Sequence, residues 1–218
     1  MLPQGRDLAK LLQEVDDISK RLKSNPPDAQ ALSDALQRTV LCAIKQSILE
    51  TELRSLALRD DLTSLYNRRA FYALSAQQLK VMRRKGQGLL LFFADVDYLK
   101  NINDTFGHRE GDIALVRAAD ALERTFRNSD ILARLSGDEF AVLALEASAH
   151  DNETILRRLQ KHLQEASVEE TRYKLSLSVG VARFDPKGNE SLEDLLAKAD
   201  EAMYEQKSAQ PKAWVSRP

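Results

Sequence analysis

A polar turn between two apolar runs, at residues 131–143, constrains the fold of this chain more than any other segment. The apolar residues before and after it flank the sequence Ser-Gly-Asp-Glu at residues 136–139. Since Gly137 can take a positive φ, the segment predicts a β-hairpin. Adjacent residues on a strand point to opposite faces, so Asp138 and Glu139 are not expected to decorate the same side.

A second acidic strand end lies earlier in the chain. Residues 89–96 form a nearly continuous apolar run, which is typical of a strand covered on both faces. Asp95 and Asp97 flank Val96 where this strand ends. If the strand neighbours the hairpin, Asp95 and Asp138 can converge on a hard cation such as Mg²⁺, which combines few protein ligands with phosphate oxygens. An Asp-x-Asp strand end equally fits a solvated turn, so this pattern alone leaves both interpretations open.

Apolar periodicity also predicts the order of elements after residue 67. A short helix or turn is expected at 98–106, a strand at 174–181, and helices at 68–84, 108–126, 149–166 and 192–207. The order α-β-α-α-β-β-α-β-α predicts an α/β (α+β) domain with a central sheet covered by helices. Because the polar residues 60–67 are turn-like, the predicted domains are residues 1–58 and 59–218.

The first domain is predicted to contain two helices. One covers residues 1–25, and a second, capped by Asp28, extends for about 30 residues or roughly 45 Å. The apolar stripe of the second helix must be buried against another surface. The first helix can cover it within one chain, or two chains can pack as a four-helix bundle. We expect residues 1–58 to be a helical dimerisation or regulatory segment, with the intramolecular hairpin as the alternative.

Composition excludes several classes of function. The net charge of −1 gives no overall footprint for nucleic acid. Cys42 is the only cysteine, so a disulfide framework and a cysteine-based metal site are excluded, and a small buried helix position is expected for it. No apolar run is long enough to span a bilayer, and the N-terminus lacks the apolar core of a signal peptide. We therefore expect a cytoplasmic protein without direct membrane insertion.

Residues 100–112 carry side chains suited to a guanine nucleotide. An amide such as Asn103 can pair with guanine O6 or N7, and a carboxylate such as Asp112 can accept from N1–H and N2–H₂. Lys100 and nearby backbone N–H groups can hold phosphates. His108, in the same segment, is expected to be structural.

Five motifs together resemble those of the GGDEF family of diguanylate cyclases, over roughly residues 58–210. They occur in the family's order and are Asp60-x-Leu-Thr-x-Leu-x-Asn-Arg-Arg, Asp95-x-Asp-x-x-Lys-x-Ile-Asn-Asp-x-x-Gly-His-x-x-Gly-Asp, Ser136-Gly-Asp-Glu-Phe, Ser178-Val-Gly-Val and Ala199-Asp-x-Ala-Met-Tyr-x-x-Lys. The resemblance implies a palm-like domain related to class III nucleotide cyclases, with a mainly antiparallel sheet.

The resemblance also implies a reaction, a cofactor and partners. Two GTP molecules on two facing domains would be condensed into cyclic di-GMP and two pyrophosphates, each 3′-hydroxyl attacking the other nucleotide's α-phosphate. The implied cofactor is Mg²⁺, with Mn²⁺ as a substitute. The implied partners are GTP, cyclic di-GMP and a second copy of the chain.

Matching the motifs by position implies roles for individual residues. The metal would be held by Asp95, the carbonyl of Val96 and Asp138. Asp138, Glu139 and Arg134 would be catalytic. Glu139 would aid a second metal or activate the 3′-hydroxyl, and Arg134 would lie near the transition-state charge. Substrate contacts are implied for Asn103, Asp112, Leu99, Lys100 and Lys207, and a product-inhibition site for Arg127, Asp130 and Arg158.

Three positions depart from the family's pattern. Ser136 replaces the first glycine of the signature, where its hydroxymethyl group can crowd the nucleotide. Leu99 stands where phenylalanine is usual, and after Lys207 the usual glycine and basic residue are missing, with Lys212 as a candidate substitute. The alternatives to an active cyclase are a catalytically inactive domain that binds cyclic di-GMP or GTP as a receptor, and a helical interaction module.

Overall fold

The computed structural model describes residues 13, 16, 17, 20, 29–145, 152–168 and 172–209. The chain divides into two compact units, Met1–Arg54 and Ser55–Pro218. The helix predicted over residues 1–25 lies outside the described residues except at four positions, all helical, and Asp28 and Lys212 lie outside them too. Within this described part, none of the helices is both long and apolar enough to cross a lipid bilayer.

Helix α1 (Ala29–Leu58) forms most of the described part of the first unit and has the predicted length of 30 residues. Its described apolar side chains are unusually exposed, between 49% and 66%, at Leu32, Leu36, Val40, Leu41 and Ile44. Cys42 is exposed as well, so the expected buried position is wrong. The described part of the apolar stripe, residues 32–44, therefore lies at the surface of the single chain.

The second unit is a five-stranded sheet with helices on both faces. Its elements are β1 (Tyr66–Asn67), α2 (Arg68–Lys85), β2 (Leu89–Val96), α3 (Leu99–Phe106), α4 (His108–Thr125), β3 (Ile131–Ser136), β4 (Glu139–Ala144), α5 (Asn152–Val168), β5 (Leu177–Phe184) and α6 (Leu192–Ala209). The strand order is β1-β3-β4-β2-β5, with β1 parallel to β3 and the other neighbours antiparallel. The predicted α+β fold class and the predicted order of elements after residue 67 are confirmed.

Strand β2 joins the two halves of the core, because all eight of its residues are buried. Successive residues on a strand point to opposite faces. Leu90 and Phe92 pack in the cluster beneath α4 and α5, whereas Leu91 and Phe93 pack in the cluster beneath α2 and α6. By the same alternation, Asp95 points to the face covered by α2 and α6.

Helix α6 lies directly on strand β5 at Gly180. A β-carbon built at Gly180 would lie 1.9 Å from the carbonyl oxygen of Ala199 and 2.3 Å from the backbone nitrogen of Met203. Only glycine lets a helix and a strand backbone approach this closely. The contact fixes the height of α6 above the sheet and hence the position of Lys207, which α6 carries.

The predicted elements differ from the structure in two places. The segment expected to be a turn, residues 60–67, contains the two-residue strand β1, which pairs with the distant β3. Strand β5 starts and ends three residues later than predicted, since residues 174–176 lie outside the ladder. There the Leu175 N–H donates to Ser167 Oγ at 3.1 Å instead. The predicted alternation is nevertheless correct, because Leu175 and Val179 belong to the same buried cluster.

Candidate active site

The end of strand β2 lies against the hairpin formed by β3 and β4. Asp95 pairs in register with Glu139 on β4 and with Ser178 on β5. One residue later, the Val96 N–H donates to the carbonyl of Asp138 at 3.1 Å. Directly opposed residues of an antiparallel pair share one face of the sheet, so Asp95 and Glu139 both lie on the α6 side. The two acidic motifs, separate in sequence, therefore meet at one point.

A lysine from α6 completes this cluster. Lys207 Nζ lies 2.6 Å from Asp95 Oδ1. Burial alone would lower the pKa of Lys207, but the hydrogen bond to Asp95 and the charges of Asp95, Asp97 and Asp138 raise it. Burial raises the pKa of Asp95; the hydrogen bond from Lys207 opposes that rise, and the negative charge of Asp138 adds to it. The charges of Asp95 and Asp138 thus act on each other, and Lys207 interacts favourably with both.

Asp97, the second acid of the Asp-x-Asp pair, ties β2 to the start of β5. Its Oδ2 accepts from Ser176 Oγ at 2.7 Å and its Oδ1 accepts from Ser178 Oγ at 2.6 Å. The Asp97 N–H donates to the Ser176 carbonyl at 3.0 Å. Because Asp97 is buried and both its carboxylate oxygens are engaged, its role is structural.

The donors at the strand ends fit a hard divalent cation that binds together with a nucleotide. Proteins hold Mg²⁺ through one or two carboxylates with substrate phosphates and waters, rather than in a complete protein cage. Asp95 and Asp138 supply two such carboxylates. Across the described ranges, no group of three or more histidine, cysteine or acidic side chains is arranged to hold a metal ion. The residues present therefore fit Mg²⁺ shared with phosphate oxygens.

The hairpin turn and the strand ends beside it carry three residues with predicted catalytic roles, Arg134, Asp138 and Glu139. Gly137 has a φ of 39°, and the ladder is irregular between Arg134 and Ser136. Asp138 lies in the turn itself, whereas Glu139 is the first residue of β4. Ser136 Oγ donates to Glu139 Oε2. The hydroxyl group at the position that departs from the family's signature thus contacts a predicted catalytic carboxylate.

Arg134 is held by the segment that precedes β1. Its Nε and Nη2 donate to the Gly137 carbonyl at 2.9 and 2.8 Å, and its Nη1 donates to Asp60 Oδ1 at 3.2 Å. Asp60 also accepts from the backbone N–H of Thr63 at 2.9 Å and from its hydroxyl at 2.7 Å. Burial would raise the pKa of Asp60, but the bonds from Thr63 and Arg134 lower it. This network was not predicted from the sequence. The spacing of Asp60 and Thr63, which is typical of an aspartate that accepts from a backbone N–H three residues later, could have indicated its Asp60–Thr63 part.

The predicted guanine contacts lie at the corner between α3 and α4. Asn103 is half-buried on α3, and Asp112 is exposed near the start of α4. Gly107 forms the corner with a φ of 88°, and its N–H donates to the Asn103 carbonyl at 2.8 Å. The buried Glu110 accepts from the Tyr173 hydroxyl at 3.0 Å, which fastens the corner to the segment before β5. The two side chains are thus carried by one well-anchored corner.

The predicted substrate contacts Leu99 and Lys100 open helix α3. They follow Tyr98, which has a left-handed φ of 58°. This conformation costs a non-glycine residue roughly 1–2 kcal/mol. It turns the chain sharply after Asp97, so α3 begins beside the acidic end of β2, with Lys100 exposed.

Gly111 makes room for the Asn103 side chain. A β-carbon at Gly111 would lie 1.9 Å from Asn103 Oδ1. Gly111→Ala should therefore displace the Asn103 amide, and we expect the Kd for GTP to rise about tenfold through lost hydrogen bonds to guanine. Isothermal titration calorimetry with GTP measures this change.

A double-mutant cycle with Asn103→Ala controls for the Gly111 prediction. In the Asn103→Ala background there is no amide to displace, so adding Gly111→Ala should change the Kd by less than about twofold. Additive losses in the double variant would contradict the prediction, because they would mean that Gly111→Ala acts through the helix backbone.

The predicted product site is a compact turn next to β3. Asp130 accepts from the Arg127 N–H through Oδ2 and from the Leu145 N–H through Oδ1, both at 2.9 Å. Burial raises the pKa of Asp130, while these backbone bonds and the charges of Arg127 and Arg158 oppose the rise. Arg127 and Arg158 are exposed, and both interact with the charge of this carboxylate. A cavity of about 360 Å³ adjoins the turn and extends to β1.

Comparisons with known proteins identify relatives of this chain. A family model described as "Diguanylate cyclase, GGDEF domain" matches residues 57–212. The cyclic di-GMP phosphodiesterase NbdA of Pseudomonas aeruginosa is 37% identical over 157 residues, which are 72% of this chain and 20% of NbdA. The probable diguanylate cyclase DgcC of Escherichia coli is 34% identical over 168 residues, which are 77% of this chain and 45% of DgcC. The chain thus spans less than half the length of these curated relatives.

A solved structure matches at the level of the fold. The coiled coil and GGDEF domain of DgcB from Caulobacter crescentus, crystallised in complex with c-di-GMP, superimposes with a TM-score of 0.69 at 26% identity. The match covers 81% of this chain and 94% of the DgcB chain. It therefore extends over most of both molecules.

Proposed function

Because the chain belongs to the GGDEF family of diguanylate cyclases, we propose that it condenses two GTP molecules into cyclic di-GMP and two pyrophosphates. The observation that carries this proposal is the meeting of Asp95 and Asp138 where β2 abuts the hairpin, with Lys207 bonded to Asp95. Two carboxylates and an ammonium group at one point are suited to binding a metal–nucleotide complex. The relative DgcC is named a probable diguanylate cyclase, which supports the same reaction.

In this proposal, the nucleotide is bound at both of its ends. Asn103 and Asp112 pair with the guanine edge, which favours GTP over ATP. Lys100 and Lys207 contact the phosphates. Lys207 is bonded to Asp95 when no nucleotide is bound. When GTP binds, Lys207 either leaves Asp95 for a phosphate oxygen or contacts both groups at once.

The proposed chemistry takes place beside the hairpin turn. Mg²⁺ held by Asp95, the carbonyl of Val96 and Asp138 would neutralise charge on the phosphates. Arg134, already fixed against the turn, stabilises the charge that develops on the α-phosphate without having to reorganise. Glu139, beside Asp95 on the neighbouring strand, activates the attacking 3′-hydroxyl or aids a second cation.

The proposed reaction needs two copies of the domain, because each bound nucleotide attacks the other. We propose that α1 brings them together. Its stripe of exposed apolar side chains is a surface that a second helix can bury, and burying such a stripe is the main driving force for helix association.

We further propose that cyclic di-GMP inhibits its own synthesis at Arg127, Asp130 and Arg158. The exposed guanidinium groups of Arg127 and Arg158 suit the phosphates of the product. Asp130 shapes the turn by accepting two backbone N–H groups. Product bound there would keep two domains from meeting.

A turnover assay tests the proposed function. The chain is incubated with GTP and Mg²⁺, and the products are identified by mass. Cyclic di-GMP and pyrophosphate are the expected products. Their absence at high protein concentration would reject the proposal. Calorimetric binding of cyclic di-GMP without turnover would indicate a receptor, and binding of neither nucleotide would indicate an interaction module.

A charge placed in the apolar stripe of α1 tests the proposed dimer. Leu36 is 66% exposed, and Leu36→Glu would bury a carboxylate in the interface. We expect the dimer dissociation constant to rise about tenfold or more. Sedimentation velocity measures it, and specific activity should become steeply dependent on protein concentration.

Arg38→Gln is the matched control for Leu36→Glu. It changes the net charge by the same amount, but the exposed Arg38 lies on the opposite side of α1 from Leu36, about 200° around a helix that turns by about 100° per residue. Association should therefore be nearly unchanged. If Leu36→Glu associates as tightly as this control, the dimer does not form through the stripe.

A further inference from the structure

We propose that Ser136 is a positioning residue that holds the carboxylate of Glu139 for the reaction. The hydroxyl of Ser136 would fix Glu139 in one orientation and leave its second oxygen, Oε1, to face the substrate. This inference rests on the proposed function, because it gives a role to a residue within the same site. It also assigns a purpose to the serine that replaces the first glycine of the signature.

The hydrogen bond follows from the geometry of the hairpin. Ser136 and Glu139 are paired directly across β3 and β4, at the irregularity that follows Arg134. Opposed residues on one face of such a pair have their β-carbons about 4.5–5.5 Å apart, within reach of a short hydroxyl and a glutamate. Ser136 Oγ donates to Glu139 Oε2. A glycine at this position would offer no donor.

The hydrogen bond from Ser136 matters because a second acid, Asp95, lies on the other side of Glu139. Asp95 is paired with Glu139 from the other side, on β2. Like charges directly opposite each other on a sheet repel. The hydroxyl of Ser136 stabilises the Glu139 carboxylate on the side away from Asp95, through a charge-assisted bond. Glu139 is therefore kept apart from the acids at the end of β2 before any substrate binds.

An opposite role for Ser136 is that its side chain crowds the nucleotide. Crowding predicts that smaller residues at position 136 improve GTP binding and turnover. Positioning predicts that they impair turnover with little effect on binding. Ser136→Ala and Ser136→Gly therefore separate the two roles by the sign of their effect.

Steady-state kinetics provides the first test. For Ser136→Ala we expect kcat to fall about tenfold, the effect of losing one hydrogen bond to a charged group, with the KM for GTP changed less than about twofold. Ser136→Thr keeps a hydroxyl on the β-carbon and should restore kcat to within about twofold of the starting chain. An unchanged or raised kcat in Ser136→Ala would overturn the proposal.

A second measurement does not depend on turnover. With ¹³C-labelled glutamate, the side-chain carboxyl resonance of Glu139, assigned with Glu139→Gln, should shift in nucleotide-free Ser136→Ala and stay in place in Ser136→Thr. A resonance that does not move in Ser136→Ala would overturn the hydrogen bond itself. If the starting chain makes no cyclic di-GMP, the proposed function fails and with it any role of Ser136 in the reaction, while the resonance still decides whether Ser136 holds Glu139.

Discussion

Asp138→Asn is expected to lower the rate of cyclic di-GMP formation by about 10³-fold or more, because it removes one of two carboxylates at the centre of the site. Asparagine has nearly the same shape as aspartate but no charge. The Asp138 charge acts on Asp95, so its removal relieves repulsion within the cluster. We therefore expect the free energy of unfolding to stay within about 0.5 kcal/mol of the starting value.

Product formation and urea unfolding, measured on the same sample, check the Asp138 prediction. Asp120→Asn is a matched control, because Asp120 is exposed on α4 and has no predicted role in the reaction. It should leave turnover unchanged. Retention of full activity in Asp138→Asn would contradict both the prediction and the proposed enzyme.

Gly180→Ala is expected to have the largest effect on stability. The new methyl group would lie within 2.3 Å of backbone atoms in α6, which cannot rotate away as a side chain can. Helix α6 must therefore lift from β5, and we expect the free energy of unfolding to fall by about 3 kcal/mol. Urea unfolding followed by circular dichroism measures the loss.

Gly188→Ala provides the comparison for Gly180→Ala. At Gly188 the nearest atoms to a new β-carbon lie at 3.4 and 3.7 Å, which is ordinary contact. Its effect should stay within about 0.5 kcal/mol. Equal effects of the two substitutions would mean that the approach of α6 to β5 tolerates a side chain.

The fold was largely predictable because its elements depend on local patterns. The buried run that forms β2 and the alternation that forms β5 identify strands from the side chains alone. Alternation identifies the faces of a strand but not where pairing begins, which explains the three-residue shift of β5. Strand β1 was missed because its two residues carry no periodicity and depend on pairing with β3.

The candidate site was predictable only as far as its motifs. The sequence places Asp95 and Asp138 at two strand ends, and the structure brings those ends together. The hydrogen bonds around these two acids join residues that are far apart in the sequence and that no local pattern connects. Arg134 and Asp60 are 74 positions apart, and Asp97 bonds serines 79 and 81 positions away. Such contacts depend on which strands are neighbours and on their register, and local patterns in one sequence do not reveal either.

The ion pair between Lys207 and Asp95 has a consequence for the stability of the domain when no metal ion and no nucleotide are bound. The buried end of β2 carries its own internal counter-charge, so no bound ion is required to offset the Asp95 carboxylate. Folding and metal loading are thus separable here, unlike in small zinc domains that collapse when stripped by a chelator. We therefore expect the domain to stay folded when metal and nucleotide are both absent, so that binding either of them would not require refolding.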